Sequence, residues 1–200
     1  KPGGFQTLRI LGDCRIEGGA VTHPANADAE DWWLSLYVAG DLYVGEKACL
    51  SASGKGYASG KGPSPGVTPG SGANHGGQGA PQAQSSDTRP ARTYDSIVNP
   101  IQSGSGGTTL EGSPHSYNGG GVVALVVDGR VILNGRIVAD ADGRDIDNSN
   151  IGGAAGGTVN LKIGQSLNGE GWITADGGRG FHQGAGGGGG GRISIVYQGS

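Results

Sequence analysis

The sequence predicts an all-β fold: a glycine-rich parallel β-helix of stacked three-strand coils, carrying a long Gly/Pro-rich insertion. Three observations point there: 45 glycines in 200 residues, short apolar blocks with period-two alternation, and recurrence of those blocks at near-constant spacing. Leu, Ile, Val and Phe number 11, 12, 13 and 2, or 38 of 200 residues, which is the edge at which chains fail to bury a core. Here they cluster between Gly-rich stretches, which argues for a folded chain. No segment carries helical periodicity over ten or more residues, and each Gly would cost a helix about 1 kcal/mol relative to Ala.

The repeat carries most of the argument. Gly121 to Val127 matches Gly157 to Ile163 at an offset of 36, and Gly191 to Tyr197 follows 34 residues later. Val123, Val159 and Ile193, then Leu125, Leu161 and Ile195, then Val127, Ile163 and Tyr197 are the apolar positions, separated by more variable ones. That is the signature of a strand with one buried face. Gly135 to Asp140 matches Gly171 to Asp176 at the same offset, and Ala48 to Ser53 matches both. Leu50, Ile137 and Ile173 then point inward, and the small Ala52, Ala139 and Ala175 sit at a tight bend. Leu8 to Ile16 pairs with Leu36 to Val44 at an offset of 28, and Gly129 to Leu133 repeats the form. Units whose strands each bury one face are satisfied by stacking in parallel. A Gly-rich antiparallel sandwich also predicts alternation, but not the matching order of strand types.

The whole chain, 1–200, reads as one domain. Within it, 54–121 holds seven of the nine prolines and almost no alternation, so it reads as an insertion of the length that usually serves a function. Its one apolar patch is Ser96 to Ile101, with Tyr57 and Tyr94 as candidate pins. Gly186 to Gly191 is a second low-complexity run, either extended polyglycine or a flexible crossing.

The order of Ser51 to Tyr57, Gly60 to Pro63, Asn74 to Gly77, Tyr94, Gly104 to Gly107, Gly119 to Val123, Asp128 to Ile137 and Gly186 to Ile195 resembles the glycine-rich β-helix-like repeat modules of large secreted and cell-surface proteins of bacteria and protists. The resemblance spans roughly Leu36 to the end. It implies an extracellular module, often one of many in a long polypeptide, and no known catalytic activity.

A net charge of −3 supplies neither a basic footprint for nucleic acid nor a polybasic membrane signal. The longest apolar run is Gly121 to Val127, far short of the roughly 20 residues that span a bilayer, so membrane insertion is not expected. Two cysteines form neither a disulfide framework nor a zinc set; a Cys14–Cys49 disulfide and two separately buried thiols are both open.

Asp140, Asp142, Asp145 and Asp147 form the densest acidic cluster. Alternating carboxylates on a Gly-bearing loop are a candidate Ca²⁺ site, against the plainer reading of a turn in which Asp and Asn cap backbone groups. Trp32, Trp33 and Trp172 are candidate carbohydrate-binding residues, since an indole offers a sugar ring a flat apolar face. The plainer reading has one of the Trp32–Trp33 pair covering an open strand edge and the other exposed. His23, His75, His115 and His182 lie apart in loops and match no catalytic pattern; His75 reads as a backbone-bonding residue. The expected function is a non-catalytic extracellular structural or adhesive module. Its expected partners are further copies, met end to end as in a fibre, or surface glycans, with no certain cofactor. A carbohydrate-active enzyme or lectin-like module is the alternative.

Overall fold

A computed structural model describes residues 6–83, 92–108, 117–142, 151–181 and 184–197. Its elements are all strands: β1 (Leu8–Ile10), β2 (Cys14–Thr22), β3 (Leu34–Val38), β4 (Leu42–Ser51), β5 (Val122–Val127), β6 (Val131–Leu133), β7 (Arg136–Val138), β8 (Thr158–Ile163), β9 (Leu167–Asn168), β10 (Trp172–Thr174) and β11 (Arg192–Tyr197). They form two sheets. The first runs β1-β3-β5-β8-β11; the second runs β10-β7-β4-β6-β9, with β2 also paired to β4. Every pairing between these strands is parallel.

The repeat offsets become register. Val123 lies beside Val159 and Val159 beside Ile193; Leu8 lies beside Leu36; Cys49, Arg136 and Trp172 stand side by side on successive strands. Leu36, Val38, Leu125, Val127, Val159, Leu161 and Ile163 of the first sheet pack against Leu42, Val44, Leu50, Leu133 and Ile137 of the second in one apolar cluster. A strand that turns one face to this cluster reads as apolar at every second position, with either polar or apolar residues between. Chain order sets rows: β1 then β2, β3 then β4, β5 then β6 and β7, β8 then β9 and β10.

The β-helix of stacked three-strand coils is overturned. The strands make two parallel sheets, one of them curled as a half-barrel, and in the second the long β4 pairs first with β6 and then with β7. No third ladder closes each row among the described residues. The reason lies in the glycines: a strand ladder is stabilised by side chains on its faces, and the Gly-rich segments have none to offer. They run instead as non-strand backbone packed on backbone. Gly56 N–H donates to Gly119 O (2.7 Å), Gly104 to Gly120 O (2.8 Å), Gly120 to Ala155 O (2.9 Å), Gly156 to Gly189 O (3.0 Å) and Ala73 to Gly153 O (2.9 Å). A Cβ on Gly119 would fall far inside contact with the Gly104 carbonyl, so this spacing needs glycine. The stretch read as an insertion supplies several of these segments, through Gly56, Ala73 and Gly104.

Ala52, Ala139 and Ala175 stand where the second sheet meets this layer, all buried. Their carbonyls accept from Gly121, Gly157 and Gly191, each at 2.7 Å. Asp95 is the one non-glycine with positive φ (70°) among the described residues, and it organises the loop that covers the first sheet.

Candidate functional site

The loop after Tyr94 is built around the Asp95 carboxylate. It accepts from the backbone N–H groups of Ser96 (2.7 Å), Ile101 (2.9 Å) and Gln102 (2.9 Å), and its Oδ2 lies 3.5 Å from Nε2 of the fully buried His75. Burial pushes this carboxyl up, but the His75 contact and the backbone donors outweigh it and leave Asp95 below the ordinary range. His75 Nδ1 meets Gly156 O at 2.8 Å, and its ring lies 4.7 Å from that of Tyr94. Tyr94 donates to Ser103 O (2.6 Å) and meets Ser105 Oγ (2.9 Å); burial drives its phenol well above the usual value.

The loop so held lies across the outward face of the first sheet. Thr158 donates to Gln102 O (2.6 Å), Asn160 to Pro100 O (2.8 Å) and Ser194 to Val98 O (2.9 Å). Between its overhang at Val98 and the outward Val126, Lys162 and Val196 runs an open groove of about 600 Å³, with Asp128 at its rim. Tyr37 donates to that Asp128.

A second anchored segment surrounds Asn26. Its Oδ1 accepts from Asp31 and Trp32 N–H (both 2.8 Å), and its Nδ2 donates to Trp32 O (3.1 Å) and Lys55 O (3.0 Å). Glu30 accepts from Ser103 N–H at 2.5 Å; burial raises its carboxyl, opposed by bonds from Ser103 and Trp33. His23 is buried, with Nδ1 on Pro24 O (2.8 Å), and desolvation lowers its pKa to about 4. These networks bond mostly to backbone, although Nε2 of His23 and of His75 is buried without a hydrogen-bond partner.

The predicted site residues do not converge. Asp140 is used up by the fold: its Oδ1 accepts from Asp176 N–H (2.8 Å) and its Oδ2 from Thr174 (3.0 Å). Asp142 N–H donates to Asn118 O, while Asp145 and Asp147 lie outside the described residues, as do His115 and His182. No group of three or more His, Cys, Asp or Glu among the described residues is placed to hold a metal. Trp33 is buried, Trp32 is exposed, and Trp172 stands on the other sheet, 69% exposed, beside Arg136. Cys14 and Cys49 are free thiols, opposite Leu42 and Ala20 respectively on the same pair of strands, and burial raises both. Low thiolate content disfavours nucleophilic chemistry.

The edges of the first sheet leave apolar side chains open. On β11, Ile193, Ile195 and Tyr197 continue the buried columns of Val159, Leu161 and Ile163, yet they are 46, 37 and 57% exposed. At the opposite edge Leu8, in register with buried Leu36, is 63% exposed. Sequence reasoning supplied these columns but missed Asp95, whose only signal is an Asp in a turn-forming stretch. No family model, curated protein or solved structure matches the chain.

Proposed function

We propose that this chain is a non-catalytic structural and adhesive module that joins further copies head to tail through the open edges of its first sheet. The observation that carries the reading is the exposure of Ile193, Ile195 and Tyr197 at one edge and Leu8 at the other, all continuations of buried columns. An uncovered parallel edge offers both apolar surface and unpaired backbone groups, so strand addition satisfies two needs together. The contact is heterologous, β11 of one copy against β1 of the next, and such contacts propagate into a filament unless their rotation closes a ring. A net charge of −3 opposes association little.

In support of a non-catalytic reading, Asp95, Asp140 and His75 are each committed to backbone or loop anchoring. Placement outside the cell follows from the resemblance of the glycine-rich string. Surface glycans are the second class of partner on this reading, with exposed Trp172 offering the stacking face. Sedimentation velocity from low micromolar to millimolar protein tests the assembly: a progressive shift to larger species is expected, reduced by Ile195→Asp. A species that stays monomeric throughout overturns it.

A further inference from the structure

The outward face of the first sheet carries two lines of side chains with opposite fates. Ser35, Ala124, Asn160 and Ser194 stand side by side on β3, β5, β8 and β11, and two residues further along the same strands stand Tyr37, Val126, Lys162 and Val196. The loop after Tyr94 covers the first line: Asn160 and Ser194 are buried and donate to the loop carbonyls of Pro100 and Val98. It stops short of the second. Polar side chains are therefore covered, while Val126, on an inner strand of the sheet, stays 40% exposed. With Val98 and Val196, also exposed, it forms the kind of adjoining apolar surface that marks a binding groove.

The groove is built before anything enters it. Val98 N–H donates to Ser96 Oγ (3.2 Å) and Val98 O accepts from Ser194 (2.9 Å), so the overhang is tied on both sides, and Asp95 fixes the base of the same loop. Binding then has little loop ordering to oppose it. A volume of about 600 Å³ suits a small molecule. Val126 and Lys162, at the middle of the floor, belong to the inner strands β5 and β8, so the groove does not depend on either edge of the sheet.

Charge and polarity select the occupant. Lys162 lines the groove between Val126 and Val196 and makes no hydrogen bond or ion pair among the described residues. Asp128, the acid at the rim, already accepts from Tyr37, and the Arg9 guanidinium lies over that tyrosine ring, 4.3 Å from its centre. Asn99 commits its Oδ1 to Asn160 (3.1 Å) and keeps its Nδ2 as a further donor. An ammonium set in an aliphatic floor calls for an anionic head on an apolar body. A peptide is poorly served, because β5 and β8 are paired on both sides and a segment laid on their face would leave its own N–H and C=O groups without partners. A sugar is poorly served too, since no aromatic ring lines the groove among the described residues.

We infer that the groove binds a free aliphatic carboxylate of medium chain length. Its head meets Lys162 and Asn99, and its hydrocarbon chain lies along Val98, Val126 and Val196. This goes beyond the structural and adhesive reading and does not require it.

Octanoate, titrated onto the whole chain below its micelle concentration, tests the site. Saturable one-to-one binding is expected by calorimetry, with shifts of the Val98, Val126 and Lys162 amide signals. Octanol, which has the chain without the charge, should bind about fivefold more weakly. Lys162 is exposed, so Lys162→Met should leave the denaturant midpoint unchanged; it should lower octanoate affinity about fivefold and leave octanol alone. Lys162→Arg should retain most of the affinity. Absence of saturable binding, octanol binding as tightly as octanoate, signals that move elsewhere, or a Lys162→Met chain that binds octanoate undiminished overturns the inference. A chain that stays monomeric yet binds octanoate would refute head-to-tail assembly alone; one that assembles but ignores octanoate would refute the groove alone.

Discussion

The two halves of this molecule are held together by different physics. Between the sheets, stability comes from side chains: Leu50, Ile137 and Leu161 are fully or almost fully buried in a continuous apolar cluster, each worth about 1.5–3 kcal/mol of transfer. In the Gly-rich layer the side chains are missing, and chain segments lie so close that carbonyls occupy the space a Cβ would need. There the hydrogen bonds of Gly56, Gly104, Gly120 and Gly156 replace ladders. The comparison teaches that one parallel architecture can change its binding force from burial to backbone pairing without a break in the chain, provided residue size changes with it.

Substitutions break this comparison in order of size. Leu161→Ala should cost about 3–4 kcal/mol by leaving a cavity between the sheets, read from denaturant midpoints. Gly119→Ala should cost nearly as much, about 3 kcal/mol, though it adds only a methyl group, because the methyl meets the rigid backbone at Gly104. A cost near zero for the second would show that the Gly layer is loose. At Gly12 nothing stands within reach of a Cβ, so Gly12→Ala should change stability by less than about 0.5 kcal/mol.

Acid sharpens the contrast between the anchored loops and the rest. His23 is held neutral, its pKa lowered from 6.5 to about 4, whereas the unfolded chain takes up the proton near pH 6.5. Stability should therefore fall as pH drops from about 6.5 toward 4, by about 2 kcal/mol after allowance for partial solvation. His23→Asn should flatten that slope. Asp95 titrates below the ordinary range in the fold, so its contribution is present above the usual carboxylate pKa and lost as pH falls further. Hydrogen exchange at Ile101 and Gln102 should quicken there before the β5 and β8 amides respond. Simultaneous loss of both would mean that the loop is not a separate unit.

The strands were legible because burial of one face writes itself as alternation: Val159, Leu161 and Ile163 could be aligned with Val123, Leu125 and Val127 by eye, and the offset of 36 is the register found. The number of sheets was not legible. Glycine carries no side chain, so the Gly104, Gly120 and Gly156 segments have no periodicity to read, and a third ladder was assigned where backbone packing exists. Of the site candidates, Asp140 was visible as an acid but not as an acceptor for Asp176 N–H, because the partner lies 36 residues away. Trp33 and Trp172 were visible as large apolar rings, yet only the fold decides that one is buried and the other open.

Hydrogen exchange at the sheet edges, followed as protein concentration rises, tests most directly whether those edges are adhesive. The account predicts that the backbone amides of Ile193 to Tyr197 and of Leu8 to Ile10 become protected together, while those of β5 stay protected at every concentration. Edge amides that exchange at the same rate in dilute and concentrated solution would contradict it.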